Sequence, residues 1–553
     1  MKKTEVFIKN IVFNDGSSYS FQHSDIVVFT GANNSGKSQV LRDIKSNFEN
    51  KNAKKVIVSS IDADYIGDLQ YLKDICVNKN GRYYLENINI NQLNNLDYYW
   101  NNKDLSSIHR YFINHLSTEN RLQASNPASS FDAVNDSPSH PIQKIYIDDK
   151  KEMELSFLFH KAFNANIIVN RGAGNNIPIH VGISPQKEND EDRVSVSYLQ
   201  KLKALPQIQN QGDGMRSFTG ILLDTFTSQH TITLIDEPEA FLHPPQARLL
   251  GKMLAKNIPN GRQIFISTHS EDFLKGLLDA NNENIKVIRI NREEDINHMN
   301  ILNNEEIKTF WKDPILRYSN ILSGLFHSKV VICESDTDCR FYQAVLNAIH
   351  DGENDISPDV LFTHCGGKQR LKTVIAALKS LNVKTVAVAD IDILNDKVTF
   401  KDVTEQIGVE WKDIESKWKV IDDYVKNQRA QLDTDEVKKE IANIFDKVTE
   451  PQLPTVIADK IKKVIKMSSA WSKVKETGKS FLVGEAYTAF LELCEICKNK
   501  GLFIVPVGEL ECFYKPDSNH GTKWVNNVLE TIDLKNDPEL YNAREFTKKM
   551  LEI

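Results

Sequence analysis

The chain of 553 residues has little that would place it in a membrane or outside the cell. It contains no apolar run long enough to span a bilayer, and its first residues do not follow the pattern of a signal peptide. Basic residues are also not in excess, since 68 lysines and arginines face 75 aspartates and glutamates, for a net charge of -7. We therefore expect a cytoplasmic protein with no membrane partner, in which any nucleic-acid binding depends on a local basic groove.

Cysteine is scarce and scattered. The seven cysteines include one C-x-x-C pair, Cys494 and Cys497, inside a segment with helical periodicity. A structural zinc site needs a second pair of ligands nearby, and the sequence offers none. We therefore interpret the cysteines as thiols packed in or on helices, and the length of the chain predicts two to four domains.

One stretch carries a specific signal: Gly-Ala-Asn-Asn-Ser-Gly-Lys-Ser at residues 31–38, which has the spacing G-x-x-x-x-G-K-S. It follows a β-branched apolar run at 25–30 and precedes a helical pattern at 39–44. The glycines let backbone N–H groups turn toward phosphate oxygens, and the helix N-terminus adds the positive end of its dipole. We predict that Lys37 contacts the β- and γ-phosphates of ATP and that the Ser38 hydroxyl coordinates Mg²⁺. The predicted nucleotide-binding residues of this loop are Asn33, Asn34, Ser35, Gly36, Lys37 and Ser38.

Two further apolar runs read as buried strands that end in polar residues. Residues 231–235 precede Asp236 and Glu237, and residues 263–268 precede His269. We predict that Asp236 holds Mg²⁺ through water and that Glu237 polarises the attacking water. His269 would then hydrogen-bond the γ-phosphate and sense its loss.

Ahead of these strands, residues 211–217 read Gln-Gly-Asp-Gly-Met-Arg-Ser and open a helix. This segment resembles the glycine-rich signature of ABC/SMC-class ATPases, with Gly212 in place of the usual serine and Asp213 in place of a glycine. In that class the helix N-terminus caps the γ-phosphate of ATP held by the opposite subunit. The resemblance therefore implies that Gly212 and Gly214 contact nucleotide and that the ATPase heads pair. The departures leave open whether ATP is hydrolysed or only bound.

Other elements of such heads are less defined here. The glutamine-bearing loop has two candidates, Gln70 and Gln92, and His243 is a candidate for the loop that crosses to the partner subunit. No long heptad pattern interrupts this half of the chain, which counts against an SMC protein with coiled-coil arms.

The second half places carboxylates after two predicted parallel strands. Residues 328–333 end at Glu334, and residues 384–389 end at Asp390, with Asp392 on the same side two residues later. Because the carboxyl ends of parallel strands meet at one sheet edge, these side chains should converge there. Converging carboxylates repel one another unless cations bind, and hard oxygen ligands favour Mg²⁺ or Mn²⁺, which would polarise a scissile phosphate. The predicted metal ligands of this region are Glu334, Asp338, Asp390 and Asp392.

This glutamate and Asp-x-Asp pattern resembles the TOPRIM domain of topoisomerases, primases and some nucleases, with Ser335 in place of the usual glycine. An ABC-type head followed by TOPRIM resembles the OLD (overcoming lysogenization defect) family of ATP-linked nucleases. The resemblance implies a further metal ligand after a later strand, for which Glu511 is preferred over Glu509. It also implies a basic residue near the C-terminus that stabilises charge on the cleaved phosphate. The candidates are Lys548, which is preferred, and then Lys549 and Lys523.

The OLD resemblance also carries a function. It implies an ATP-regulated, Mg²⁺-dependent DNA endonuclease or nickase that forms a homodimer or higher homo-oligomer through its heads. Family members frequently serve in bacterial anti-phage defence. Some work with a helicase-like protein, and others with a reverse transcriptase and its RNA–DNA product.

We therefore predict an α/β protein with two domains. An ABC/SMC-like P-loop ATPase domain would span residues 1–320, with a helical, polar insertion at about 50–165. A Rossmann-like TOPRIM domain would span 321–553, with its own helical insertion at about 397–498. The main alternative is an SMC-like repair or signalling ATPase whose TOPRIM domain binds nucleic acid without cutting it. A topoisomerase is disfavoured because no segment can be identified as carrying a nucleophilic tyrosine, and a primase because zinc-finger cysteines are missing.

Overall fold

The computed structural model divides the chain into two compact units, Met1–Lys312 and Asp313–Ile553, each of which mixes helices with β-sheet. The predicted domain boundary, between residues 320 and 321, lies close to this division. The structure describes residues 2–50, 52–79, 81–86, 88–186, 192–302, 311–313, 320–352, 356–428, 434–446, 448, 452–466, 470–517 and 519–552.

The first unit contains the following described elements. The strands are β1 (Glu5–Phe13), β2 (Ser18–Ser20), β3 (Ile26–Thr30), β4 (Val58–Ile66), β5 (Val77–Lys79), β6 (Arg82–Leu85), β7 (Ile88–Asn91), β8 (Ile113–Leu116), β9 (Ala128–Ser129), β10 (Asn166–Val169), β11 (Asn176–Ile177), β12 (Ile179–Gly182), β13 (Ile232–Asp236), β14 (Gln263–Ser267), β15 (Ile285–Glu293) and β16 (Ile296–Ile301). The helices are α1 (Lys37–Glu49), α2 (Leu69–Asp74), α3 (Asn94–Asn101), α4 (His109–Phe112), α5 (Thr118–Ala124), α6 (Pro141–Tyr146), α7 (Asp149–Phe163), α8 (Val196–Lys203), α9 (Asp213–Thr227), α10 (Pro244–Asn257) and α11 (Glu271–Leu278).

A six-stranded sheet organises the first unit, in the order β16-β15-β3-β14-β13-β8. All neighbours are parallel except β15 and β16, which form an antiparallel pair. Every residue of β3 is buried, as expected for a parallel strand covered on both faces. Because β3, β14 and β13 are adjacent and parallel, the loops after them share one edge of the sheet, where the phosphate loop and the acidic strand end were predicted to meet.

The prediction that residues 50–165 are largely helical missed the strands that lie among the helices of this region. Strand β4 runs antiparallel to β1, with Ile11 opposite Ile61, and β8 forms an edge of the central sheet beside β13. A three-stranded sheet of β5, β6 and β7 lies between them in sequence. The polar composition misled because one face of β4 is more solvated than the other: Ile61, Ala63 and Tyr65 pack on the core, and the polar residues Ser60, Asp62 and Asp64 alternate with them.

The second unit is built on four parallel strands in the order β18-β17-β19-β20. These strands are β17 (Lys329–Cys333), β18 (Val360–His364), β19 (Lys384–Ala389) and β20 (Leu502–Ile504). The described helices are α12 (Asp336–Ile349), α13 (Leu371–Ser380), α14 (Lys397–Ile407), α15 (Trp411–Asn427), α16 (Thr434–Phe445), α17 (Thr455–Lys466), α18 (Ala470–Thr477), α19 (Glu485–Lys498), α20 (Thr522–Thr531) and α21 (Tyr541–Leu551).

The core of the second unit fixes the strand ends that matter for function. Side chains of β17 and β19 pack with α12, α20 and α21 around the fully buried Trp524. The helices α14 to α19 are inserted between β19 and β20. The last part of this insertion returns to the sheet, since the backbone N–H of Lys479 donates to Pro506 O at 2.8 Å. The insertion therefore packs beside the end of β20.

Candidate functional sites: a phosphate loop and a carboxylate cluster

The phosphate loop has the conformation that its glycines permit. Gly31 and Gly36 have φ of 146° and 97°, and Asn34 between them has φ of 62°. A Cβ at Gly31 would lie 2.3 Å from Ile290 O, so β15 excludes any larger residue there. The Asn297 side chain of β16 donates to Ser35 O at 2.7 Å and anchors the loop. Neighbouring strands thus hold residues 31–36 in a fixed curl.

Lys37 and Ser38 begin helix α1 directly after this curl. Lys37 is 2% exposed, and its ammonium donates to Gly31 O at 2.9 Å and to Ala32 O at 2.8 Å. Asn33 and Asn34 are exposed at the tip of the loop. A helix N-terminus, a lysine inside the loop and a hydroxyl one residue later are the groups that bind a triphosphate and its metal.

The acidic strand end and the histidine also meet as predicted. Asp236 ends β13 opposite Ser267 of β14, and the Ser267 hydroxyl donates to the Asp236 carboxylate. His269 Nε2 lies 3.1 Å from Glu237 Oε1. Burial, followed by the charge of Lys37, lowers the pKa of His269, which favours the neutral ring, whose Nε2–H can donate to the Glu237 carboxylate. The sheet edge therefore carries a carboxylate–histidine pair close to Lys37.

Arg121 of α5 was missed by the sequence analysis. It is fully buried, and its guanidinium donates to the carbonyls of Asp236 and Glu237, the latter at 3.0 Å. Its Nε donates to Ser217 Oγ on α9 at 3.0 Å. Glu237 has φ of 48°, a conformation that non-glycine residues rarely adopt. Arg121 therefore holds the strained turn that carries the predicted general base and ties it to α9.

Glu239 was also missed, and it supports His269. Its carboxylate accepts from the backbone N–H of His269 at 2.7 Å and from Thr268 Oγ1 at 2.9 Å. Burial raises the pKa of Glu239 above its ordinary value. No sequence signal separates Glu239 from a surface acid, because its role depends on the parallel pairing of β13 and β14.

The predicted signature segment begins helix α9, with Gly212 at the N-cap. A Cβ at Gly214 would lie 2.7 Å from Phe241 O, so the turn after β13 requires glycine at that position. Asp213, which replaces the usual glycine, pairs with Arg216 at 2.9 Å on the same helix turn. The unusual residue thus forms a local ion pair at the helix N-terminus.

In the second unit the predicted carboxylates come together. Oxygen atoms of Glu334, Asp390 and Asp392 all lie within 4.8 Å of one another, at the ends of β17 and β19. The backbone N–H of Asp390 donates to Glu334 Oε1 at 3.1 Å. Burial and then the charge of Asp392 raise the pKa of Glu334 to about 7, and burial and then Glu334 raise the pKa of Asp390. Three partly buried, mutually repelling carboxylates with no sulfur or nitrogen donor among them fit a hard divalent cation.

A second acidic group follows β20. Glu509, Glu511 and His520 offer ligand atoms within 4.8 Å of one another. Glu511 also accepts from the backbone N–H of Gly521 at 2.7 Å. Glu511 was predicted in preference to Glu509, whereas the structure groups both. Asp338 is outside both groups: its carboxylate accepts from the backbone N–H of Ser335 at 2.8 Å and caps helix α12.

The lysines near these acids differ from the predicted one. Lys548 lies on α21, where its Nζ pairs with Glu545 at 3.0 Å. Among the described residues, the lysines within 4 Å of the clustered carboxylates are Lys368 and Lys475. Lys368 follows the Gly-Gly turn after β18 and pairs with Asp392 at 2.9 Å. Lys475 belongs to the insertion, so sequence distance from the strand ends concealed it.

Comparison with known proteins supports this arrangement. The family model described as "AAA domain, putative AbiEii toxin, Type IV TA system" matches residues 26–274, and "Overcoming lysogenization defect protein-like, TOPRIM domain" matches residues 325–392. The Old nuclease of Escherichia phage P2 is 27% identical over 173 residues, which cover 30% of this chain and 28% of that protein. The match thus spans less than a third of the relative's length.

Solved structures with similarity include SMC heads. An SMC head bound to the winged-helix domain of ScpA is 12% identical with a TM-score of 0.34, covering 54% of this chain and 99% of that one. The SMC head domain of Thermotoga maritima is 12% identical with a TM-score of 0.28, covering 55% and 99%. Within the described residues, no helix is long and apolar enough to cross a membrane. The ATPase match, the OLD-like TOPRIM match that follows it in the chain and the partial match to the Old nuclease together support an ATPase–TOPRIM protein of OLD type.

Proposed function

We propose that the protein is an ATP-regulated, Mg²⁺-dependent DNA endonuclease or nickase. The observation that carries this proposal is the convergence of Glu334, Asp390 and Asp392 at the ends of two adjacent parallel strands, inside a domain of TOPRIM type. Clustered carboxylates would bind divalent cations, and the cations would in turn bind a phosphodiester. Without cations, the carboxylates would repel the negative charge of the phosphodiester.

Glu334, Asp390 and Asp392 would hold one divalent ion, and Glu509 with Glu511 would supply ligands for another. Bound there, Mg²⁺ or Mn²⁺ supplies Lewis-acid stabilisation for the oxygens of the phosphate under attack. The protein's own part is to hold these carboxylates in place: the N–H of Asp390 fixes Glu334, and the N–H of Gly521 fixes Glu511.

The phosphate loop would bind ATP, with Lys37 on its phosphates and Ser38 and Asp236 on its Mg²⁺. Glu237 would orient a water, and His269, whose Nε2 lies 3.1 Å from Glu237 Oε1, would turn to contact the γ-phosphate when nucleotide is bound. Two heads would pair so that the start of α9, at Gly212 and Gly214, faces the ATP of the other copy. Binding of ATP would thus regulate DNA cleavage by changing the fraction of the protein that is dimeric.

Pairing of the heads is tested by measuring the molar mass of the protein with and without ATP by light scattering. Glu237→Gln should keep ATP bound and increase the dimer fraction, because binding remains while hydrolysis slows. Lys37→Ala should remain unresponsive to ATP. A molar mass that does not change with nucleotide in wild type and Glu237→Gln would contradict ATP-dependent pairing.

Cleavage is tested on supercoiled plasmid and linear DNA with Mg²⁺ or Mn²⁺, with and without ATP. Asp390→Ala should abolish cutting, and Lys37→Ala shows whether ATP drives or restrains it. Asp402→Asn, a half-exposed acid on α14 that pairs with Lys372, is the matched control and should cut normally. Binding of DNA by the wild type without cutting, in all metal and nucleotide conditions, would instead support an SMC-like repair or signalling ATPase.

We also propose a role in anti-phage defence, which the resemblance to OLD nucleases suggests. Plating phages on cells that express wild type or Asp390→Ala tests this role. Protection that requires Asp390 supports it, and co-purification of a helicase-like protein or a reverse transcriptase would identify a partner. Equal plating on both strains across a phage panel would contradict a nuclease-based defence role.

A further inference from the structure

Lys475 bridges the two acidic groups of the second unit. Its Nζ lies 3.5 Å from Asp390 Oδ2, in the group with Glu334 and Asp392, and 3.3 Å from Glu509 Oε2, in the group with Glu511. The Lys475 side chain is 36% exposed, whereas those of Asp390 and Glu509 are 21% and 17% exposed. A single ammonium thus neutralises part of both groups and still has a path to solvent.

The backbone of Lys475 is fixed against the end of β20. A Cβ at Gly508, where φ is 117°, would lie 2.0 Å from Lys475 O. A Cβ at Gly478 would lie 2.3 Å from the carbonyl carbon of Val507. The carbonyl of Gly508 in turn accepts from the N–H of Ile391, next to Asp390, at 3.0 Å. Close backbone contacts therefore place the insertion so that its lysine reaches the strand end that carries Asp390.

Lys368 does not have this bridging geometry. Its Nζ pairs with the Asp392 carboxylate at 2.9 Å and donates to the backbone carbonyl of the same residue at 3.1 Å. Both contacts are to one residue, so Lys368 supports Asp392 without linking the two acidic groups.

We propose that Lys475 is the built-in counter-ion of this cluster, and that a divalent cation binds only by displacing its ammonium from Asp390 and Glu509. The inference rests on the proposed metal site. An ammonium and a metal ion compete for the same carboxylate lone pairs, and two cations at this spacing repel each other. A lysine side chain is flexible enough to swing away when the metal arrives. The insertion thereby sets the divalent-ion concentration at which the carboxylates become available.

The experiment is a titration of the full-length protein with Mn²⁺ by calorimetry, without DNA or ATP. Lys475→Gln should bind Mn²⁺ about tenfold more tightly than wild type, because no ammonium has to leave. In EDTA the same variant should melt at a lower temperature, because the carboxylates have lost their counter-ion. The matched control is Lys473→Gln, which removes an exposed lysine two residues earlier on α18 and should change neither value.

Equal or weaker Mn²⁺ binding by a folded Lys475→Gln would overturn the proposal, since it would mean that the lysine does not compete. If Lys475→Gln does not fold, Lys475→Met replaces it, and Lys475→Arg, which keeps the charge, should bind Mn²⁺ no more tightly than wild type. Tighter binding by Lys475→Arg would also refute competition by charge. Absence of Mn²⁺ binding in wild type and variants alike would overturn both the competition and the metal site, whereas equal binding in both contradicts only the role of Lys475.

Discussion

Replacing Arg121 by methionine should loosen the edge of the ATPase sheet. Arg121 is fully buried and donates to the carbonyls of Asp236, Glu237 and Leu116 and to the Ser217 hydroxyl. Burial lowers the pKa of Arg121 to about 10, which still leaves the guanidinium charged at pH 7. All four contacts are therefore charge-assisted hydrogen bonds, and methionine fills similar space without any donor.

Two opposing terms set the magnitude. Leaving buried acceptors without a donor costs ~1–3 kcal/mol for each, and water reaches few of them at this site. Removing the guanidinium also removes the desolvation cost of a buried charge, roughly several kcal/mol. This gain offsets part of the loss of hydrogen bonds. Removing one partner of a buried ion pair costs about 3–5 kcal/mol, which sets an upper range for this site. Because the hydrogen-bond partners of Arg121 are neutral while the carboxylates of Glu239, Asp236 and Glu237 lose a nearby positive charge, we expect about 3 kcal/mol.

Because the chain has two units, global unfolding, which can still rank variants by melting temperature, does not give a two-state free energy for a local change in the first unit. Hydrogen exchange followed by mass spectrometry reports locally, and about 3 kcal/mol corresponds to roughly a hundredfold loss of protection in β13 and the first turns of α9. Arg42→Met, which changes an exposed arginine on α1, should alter protection by less than about 0.5 kcal/mol. A loss of less than about 1 kcal/mol in Arg121→Met would refute the reasoning.

Three further predictions test other parts of the molecule. Burial and then a neighbouring carboxylate raise the pKa of Glu334 from 4.5 to about 7, so the native state binds the proton more tightly than the unfolded state. In EDTA, the stability of the protein should therefore fall as the pH rises from 4.5 to about 7. Glu334→Gln should flatten the slope of melting temperature against pH. An unchanged slope in this variant would contradict the raised pKa of Glu334. His269→Asn should leave ATP affinity within about twofold and slow phosphate release at least about tenfold, and equal turnover would exclude His269 from hydrolysis. Gly508→Ala should increase hydrogen exchange across residues 470–481, because the added Cβ would clash with Lys475 O. Gly484→Ala is the control: Gly484 has φ of 58° and open space around it, so its replacement should cause only a smaller local strain. Equal exchange in the two variants would contradict the close contact at Gly508.

Much of the ATPase edge could be predicted because its signals are local. The phosphate loop, the strand that ends at Asp236 and the strand before His269 each carry their information within about ten residues. Parallel pairing of β3, β14 and β13 then brings these segments to one edge. Strand β4 shows the limit: Ile61, Ala63 and Tyr65 alternate with polar residues, a period-2 signal that the overall polarity of the region hid.

The residues that the sequence could not assign are those whose role depends on contacts between distant segments. Arg121 matters because α5 packs on α9 so closely that a Cβ at Gly220 would lie 2.1 Å from Arg121 O. The sequence around Arg121 predicts a short polar helix but gives no sign that this helix packs against α9.

Lys548, the lysine predicted to stabilise the cleaved phosphate, also depends on contacts that its position in the sequence does not show. A basic residue near the C-terminus was expected from the family, and Lys548 satisfied the distance along the chain, but helix α21 directs it to Glu545. Lys475 reaches the carboxylates because the insertion folds back onto Gly508, a position where any side chain would clash with it. Whether Lys475 can reach the carboxylates therefore depends on Gly508, the glycine after β20, and not on the residues next to Lys475 in the sequence. A protein of this architecture with a larger residue at that glycine should lack the bridging lysine and bind divalent ions without competition.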